Sequence, residues 1–268
     1  MLEKLKKRVW HSMPGSIKLV LRIMVTSVKP YRKGDNSAYW RGRARSSGQQ
    51  AVLWTNDEYN MLYRQCQKNI LRPYVEGLGK DARILDVGCG IGVVSEMIVS
   101  IREDVCVDAV DFKEMIEVAR KRVQDRSNIN LIESSAEQYF TEEKYDLVVS
   151  SGCYSAIRDL DKMYAAISNG AEMVRPGGVL LMIDPFHKWK YLARARVSSG
   201  QVEKFVAQKG FSVIERSGVL FWPYRDILAN SAIKGVELVR KFERGERLLS
   251  MFGKHRFADY KILAFRKV

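Results

Sequence analysis

Histidine and cysteine are scarce in this chain, with three and four residues in 268. Cys66, Cys89, Cys106 and Cys153 stand far apart and form no CxxC pair, so neither a disulfide framework nor a zinc site is expected and the usage fits a reducing compartment. No His/Cys/carboxylate cluster has ligand spacing, and no metal is expected. Internal repeats and low-complexity stretches are missing, which speaks against a solenoid and against disorder. Long hydrophobic runs are missing as well. The most apolar stretch, Ile17 to Val28, is interrupted by Lys18 and Arg22, falls short of the ~20 residues that cross a bilayer, and precedes no small-residue cleavage site. Neither a signal peptide nor a transmembrane helix is expected. The expected location is cytoplasmic, with peripheral contact to the inner face of the membrane.

What is present is charge of one sign, placed at the ends. The formal net charge is +14. Residues 1–45 carry twelve basic and two acidic side chains, 46–186 carry 15 and 22, and 187–268 carry 18 and 7. A basic surface flanking an acidic centre fits a partner bearing phosphates or an anionic membrane better than a chain coated by nucleic acid. Residues 1–45 read as a basic amphipathic helical extension. Leu2, Leu5, Val9 and Met13 share one helical face, Pro14-Gly15 breaks the chain, and Ser16 can cap a second helix. The polar stretch from Lys29 to Gln50 reads as a linker.

Residues 46–268 read as one domain. Thr55 with Glu58 resembles a capping box opening a helix through Tyr59, Tyr63 and Ile70. Short apolar runs then alternate with helical patterns, the mark of a buried parallel sheet. Strands are expected at 83–87, 105–110, 130–132, 147–150, 179–183, 211–217 and 261–266. Helices are expected at 93–101, 113–124, near 137, 161–174 and 201–208, with a helical insertion at about 225–251. Five strands in βα alternation plus a terminal antiparallel pair give a seven-stranded α/β sheet with helices on both faces.

The chemistry is carried by Ile84-Leu85-Asp86-Val87-Gly88-Cys89-Gly90-Ile91-Gly92, where a strand runs into a glycine-rich turn and then a helix. Glycines allow sharp turns and close backbone approach to a ligand. The last glycine of a dinucleotide-binding GxGxxG is replaced by Val93, and Asp86 just before the turn opposes a pyrophosphate but suits an ammonium and a sulfonium. Asp111, nineteen residues after Gly92, can accept two ribose hydroxyls. Phe112 and Met115 either flank an adenine ring or pack as core.

These blocks resemble class I S-adenosylmethionine-dependent methyltransferases of the small-molecule and glycan type (methyltransferase types 11 and 25). Ser135-Ala136-Glu137, Tyr145 to Ser150 and Arg175 to Gly178 follow in the family order, covering about residues 80–220. The resemblance implies S-adenosylmethionine as cofactor, with Gly88, Cys89 and Gly90 around its methionine part, Asp111 on the ribose, and Ala136 with Glu137 at the adenine edge. Ser135 stands where the family often has Asp. Ser155 and Ala156 stand where many relatives carry a His pair, so the resemblance assigns no base there.

Ligands in such sheets meet the carboxyl ends of the strands. Ser151, Cys153 and Tyr154 follow the fourth strand, Ser151 expected toward the cofactor and the other two toward the acceptor; Asp184 and His187 follow the fifth. His187 reads as a general base or a solvated loop residue, and Asp184 as base, orienting group or loop cap. Trp54, Tyr59 and Tyr63 precede the first strand; Tyr63 is expected at the cofactor and the other two at the acceptor, although Tyr59 and Tyr63 also fit one packed helix stripe. Tyr224 and Arg225 open the insertion and are expected near the acceptor mouth. The expected reaction is O-methylation of a glycan, a lipid-linked or another small-molecule acceptor near an anionic membrane. RNA methylation and a non-catalytic cofactor-binding subunit are the other readings, and oligomeric state is left open.

Overall fold

The structure, a computed structural model, describes residues 34–46, 48–187 and 197–268. The helices expected in 2–13 and 16–28 lie outside the described residues. Seven strands form one sheet: β1 (Arg83–Val87), β2 (Cys106–Asp111), β3 (Ile129–Glu133), β4 (Tyr145–Ser151), β5 (Val174–Asp184), β6 (Phe211–Phe221) and β7 (Ala258–Lys267). Their order is β3-β2-β1-β4-β5-β7-β6. The first five run parallel, and β7 lies antiparallel between β5 and β6. The chain fills one half of the sheet through β3 and then returns to β4 beside β1. That reversal opens a crevice at the carboxyl ends of β1 and β4, the usual place for a ligand in such sheets.

Successive strand residues point to opposite faces, which divides the core in two. Ile84, Val107, Leu147 and Val149 face α2 (Asp57–Glu76) and α3 (Val93–Ile101), where they meet Tyr63, Leu71 and Ile98. Leu85, Val110, Val148 and Leu180 face α5 (Leu160–Met173) and α6 (Ser199–Ala207), where they meet Ile167 and Val202. Covered on both faces, these strands are apolar runs without alternation, and this is why the sequence displays them so clearly. Short α4 (Lys113–Arg122) connects β2 to β3. The segment near Glu137, expected as a short helix, is a turn.

Three local expectations shift, each for a tertiary reason. Helix α2 is capped by Asn56, which accepts from Tyr59 N at 3.2 Å. The two ends of the expected capping box are drawn elsewhere: Thr55 Oγ1 binds Asn230 Oδ1 at 3.0 Å and Glu58 accepts from Gly235 N at 2.6 Å. The insertion is divided into α7 (Trp222–Leu228), α8 (Gly235–Phe252) and α9 (Lys254–Phe257), and Gly235 at φ +58° marks the break. Within the expected linker lies a helix, α1 (Ser37–Arg43). It buries no side chain of its own, so no amphipathic pattern announces it. It is held instead by Asn36, whose Nδ2 donates to Ala156 O at 2.9 Å while its Oδ1 accepts from Arg158 N at 3.2 Å, and by Asp35 with Lys162 at 2.7 Å. From Gly34 onward the described part of this segment is thus fastened to the sheet domain. Among the described residues no helix is long and apolar enough to cross a membrane.

Candidate active site

The loop after β1 owes its shape to glycines at φ +72° (Gly88), +58° (Gly90) and +78° (Gly92), a region that side chains avoid. Gly88 N and Cys89 N donate to Val110 O at 2.8 and 3.1 Å, tying the loop to β2. A Cβ on Gly92 would sit 3.3 Å from Ala119 Cβ of α4, so this third glycine serves helix packing and does not line the cleft. The close helix contact that Val93 cannot supply is made one residue earlier.

Two carboxylates flank the loop. Asp111 ends β2 and points at it, with Oδ2 accepting from Gly90 N and Oδ1 from Phe112 N, both at 2.7 Å. Burial pushes its carboxyl up to about 6, although both hydrogen bonds pull the other way. Asp86 lies under the loop, fully buried, and accepts from Ser95 Oγ at 2.6 Å. Burial raises it to about 7. Asp86 is not a wall of the cleft and acts from beneath. Because Asp111 must be ionised to accept from hydroxyls, ligand affinity is expected to rise with pH through about 6. Calorimetry with S-adenosylhomocysteine at pH 5 and pH 7 should differ by roughly tenfold, as a one-proton titration requires, and Asp111→Asn should flatten that profile. The fold responds in the opposite sense. A carboxyl whose pKa is raised by folding contributes stability below its unfolded value, and that contribution is lost as pH climbs through 6 to 7.

The crevice is an open cleft of about 1100 Å³. Gly88, Cys89 and Gly90 form its floor, with Phe112 and buried Met115 beside Asp111. Ser135, Ala136, Glu137, Ser151, Cys153 and Tyr63 also line it. Arg41 of α1 covers the Phe112 ring at 4.8 Å. Several lining residues escape sequence reading: Asn36, Trp40, Val52, Leu53, Arg64, Gln67, Lys162 and Tyr260. Arg64, half-buried on α2, donates to Gln49 Oε1 at 3.2 Å and Gln67 Oε1 at 2.8 Å but meets no carboxylate among the described residues. Burial lowers its guanidinium to about 10, which leaves it charged at neutral pH. Gln67 in turn donates to Ser151 Oγ at 2.6 Å. A lone arginine within a polar helix reads as solvated, and only the third dimension turns it inward.

Apart from Cys153, the residues expected to handle the acceptor are not gathered in this cleft. Asp184 is fully buried and accepts from Ser155 Oγ at 2.8 Å and Ser150 Oγ at 3.2 Å. His187 turns toward β7, its Nε2 lying 2.6 Å from Asp259 O and 3.6 Å from Asp259 Oδ1. Arg225 reaches the other oxygen of Asp259 at 2.7 Å. Tyr154 is buried in the core against Gly170, where a Cβ would lie 2.4 Å from its hydroxyl. Tyr59 is packed edge-on between Trp54 and Phe242 at 5.5 and 5.6 Å. Tyr224 covers Gly245. For these residues a local reason to point elsewhere wins over proximity in sequence to the strand ends. Trp54 lines a second pocket beside the cleft. Among the described residues no group of three or more His, Cys, Asp or Glu could hold a metal ion.

Residues 84–178 match the methyltransferase domain family. The chain is 34% identical over 106 residues to malonyl-[acyl-carrier protein] O-methyltransferase 1 of Ilyobacter polytropus, covering 38% of this chain and 40% of the relative. It is 32% identical over 103 residues to nodulation protein S of Bradyrhizobium diazoefficiens, covering 38% and 49%. It thus spans less than half the length of these curated relatives. Among solved structures it is similar to the N-methyltransferase NodS of Bradyrhizobium japonicum with S-adenosylhomocysteine (TM-score 0.59, 17% identity, 87% of this chain and 99% of that one). The magnesium protoporphyrin IX methyltransferase of Synechocystis with bound S-adenosylmethionine is comparable (TM-score 0.56, 16% identity, 87% and 93%). The strand order, the glycine loop at the β1–β4 reversal and the family match converge: residues 84–178 carry a methyltransferase domain built on the class I fold.

Proposed function

We propose that the chain transfers a methyl group from S-adenosylmethionine to an oxygen or nitrogen of a small-molecule or glycan acceptor. The observation that carries this reading is Asp111, fixed by two backbone N–H groups in a cleft also lined by the loop glycines and by Arg64, which meets no carboxylate among the described residues. The residues present fit the cofactor. Gly88 to Gly90 allow close backbone approach, Asp111 suits the ribose hydroxyls, and Arg64 suits the carboxylate of the methionine part. Ser135 Oγ is buried at the cleft with no hydrogen-bond partner among the described residues, a group ready for the adenine edge. Bound there, the cofactor supplies an electrophilic methyl group on a sulfonium.

What remains for the protein is alignment for in-line displacement, and removal of a proton only where the acceptor carries one. Neither described histidine, His187 or His255, lines the cleft or the second pocket. Alignment is therefore the main contribution of these residues, and it suits an acceptor that arrives already deprotonated. One relative is named for O-methylation of malonyl-[acyl-carrier protein], which supports oxygen as the acceptor atom. The basic ends of the chain, together with Val236, Met251 and Phe252 exposed on α8, support a place of action at an anionic membrane surface.

Calorimetry of the full chain with S-adenosylmethionine and S-adenosylhomocysteine tests the reading, one-to-one binding being the expected result and absence of heat with both its refutation. Arg64→Gln should weaken S-adenosylhomocysteine by about 1.5 to 3 kcal/mol, the range for a hydrogen bond to a charged group. The same variant should bind methylthioadenosine, which lacks the amino-acid part, as the parent does. Equal loss for both ligands would mean that Arg64 only supports the fold. Methyl transfer from labelled cofactor into cell fractions then shows which acceptor class takes the label.

A further inference from the structure

The second pocket, open to solvent and about 950 Å³ in all, shares a wall with the cleft, since Asn36, Trp40, Val52, Leu53, Ala156 and Tyr260 line both. Among the described residues its charged lining consists of Arg43 and Arg158, with no aspartate or glutamate. Arg43 comes from the basic first 45 residues, and Arg158 from the segment 46–186, where acidic side chains outnumber basic ones 22 to 15. Two nearby cations are paired by contrast: Arg41 lies 3.8 Å from Glu114, and Lys162 lies 2.7 Å from Asp35 and 4.0 Å from Glu137.

The two arginines of the pocket are not paired in this way. Arg43 is half-buried and donates to Ala51 O at 3.1 Å, Leu53 O at 2.9 Å and Gln50 O. Carbonyls fix a guanidinium in place and leave its charge uncompensated. Arg158, also half-buried, forms no ion pair and no side-chain hydrogen bond among the described residues. Its backbone N–H is held by Asn36, the residue that anchors α1 over both pockets. On the shared wall Trp40 Nε1 is buried with no described partner, a further donor without an acceptor. Half-buried cations and an orphaned donor around one polar pocket are costly unless an acceptor-rich group enters.

We propose that this pocket is the acceptor subsite and that it takes a carboxylate or phosphate group of the methyl acceptor, which is therefore an anionic molecule. The inference rests on reading the adjoining cleft as the cofactor site. Trp40, Trp54, Tyr39 and Tyr260 supply flat apolar walls for the body of the acceptor, and the guanidinium groups hold its anionic end. The shared wall then sets how far the acceptor reaches into the cleft.

The full chain, with and without S-adenosylhomocysteine, is titrated with inorganic phosphate and separately with acetate, at constant ionic strength held with sodium chloride. Tryptophan fluorescence reports the pocket through Trp40 and Trp54. A saturable change is expected with at least one anion. Arg158→Gln should weaken it by tenfold or more and Arg158→Lys by less, both with unchanged melting temperature and unchanged S-adenosylhomocysteine affinity. Saturation by phosphate alone assigns a phosphorylated acceptor, and by acetate alone a carboxylated one. The proposal is overturned if neither anion saturates, or if Arg158→Gln and Arg43→Gln both bind the anions as the parent does. Arg158-dependent anion binding in a chain that fails to bind S-adenosylhomocysteine would keep the anion pocket and remove the cofactor reading.

Discussion

Gly88→Ala is expected to reduce affinity for S-adenosylhomocysteine by on the order of 100-fold or more, equivalent to ~2.7 kcal/mol. The added Cβ would lie 2.3 Å from Cys153 Sγ and 2.4 Å from Cys153 Cβ, closer than van der Waals contact permits. The backbone at φ +72° adds a second cost, roughly 1 to 2 kcal/mol for a residue with a side chain. Relief requires the loop to move away from β4, and that withdraws Gly88 N and Cys89 N from Val110 O and shifts Gly90 N relative to Asp111. The two costs separate in a double variant. Cys153→Gly removes both close atoms and leaves Cys153 Cα at 3.6 Å, an ordinary contact. Gly88→Ala with Cys153→Gly should therefore recover most of the affinity and retain a deficit of about tenfold from the backbone. Calorimetry on the single and double variants decides: if the double variant binds no better than Gly88→Ala alone, the clash with Cys153 is not what closes the site.

The cofactor half of the cleft was legible because it is local. A strand, a turn and a helix follow one another from Ile84 to Ile101, and Asp111 lies at the end of the next strand, so spacing along the chain sets spacing in the fold. Tyr63 and Cys153 also line the cleft. The acceptor half is assembled from distant segments. Asn36 meets Ala156 and Arg158 across about 120 residues, and Thr55 meets Asn230 across 175. No periodicity encodes such a meeting. His187 shows the limit most plainly. Its position after β5 places it on the right rim, but the direction of its ring is decided by Asp259, 72 residues further on. Tyr154 fails as a cleft residue for a similar reason, because Gly170 leaves a hole in α5 that its ring fills. The polar run around α1 looked like a linker because α1 carries no buried face; its place over the site depends on polar contacts at Asp35 and Asn36.

Asp259→Ala is expected to destabilise the fold by about 3 to 5 kcal/mol, the cost of leaving one member of a buried ion pair alone. Asp259 is buried at the start of β7, with Arg225 Nε 2.7 Å from one carboxylate oxygen and His187 Nε2 3.6 Å from the other. Burial alone would favour the neutral acid; the Arg225 charge, with the His187 imidazole beside the other oxygen, overcomes it and holds the carboxyl well below the usual carboxylate range. Since folding depresses this pKa, its contribution is complete above about pH 4, the unfolded value, and is lost as pH falls further. The parent chain should therefore lose stability on acidification below pH 4, and Asp259→Ala should lose less over the same interval. Urea unfolding at pH 7 and pH 3.5 measures both effects. Replacing the pair together, Arg225→Met with Asp259→Leu, should return a large part of the loss at pH 7, because no charge is then buried without a partner. His187→Ala completes the cycle. If the imidazole serves this cluster, its cost is largely absorbed once Asp259 is already alanine, a coupling that independent sites do not display. A His187→Ala chain as stable as the parent but much slower in methyl transfer from labelled cofactor would instead place the imidazole in the reaction.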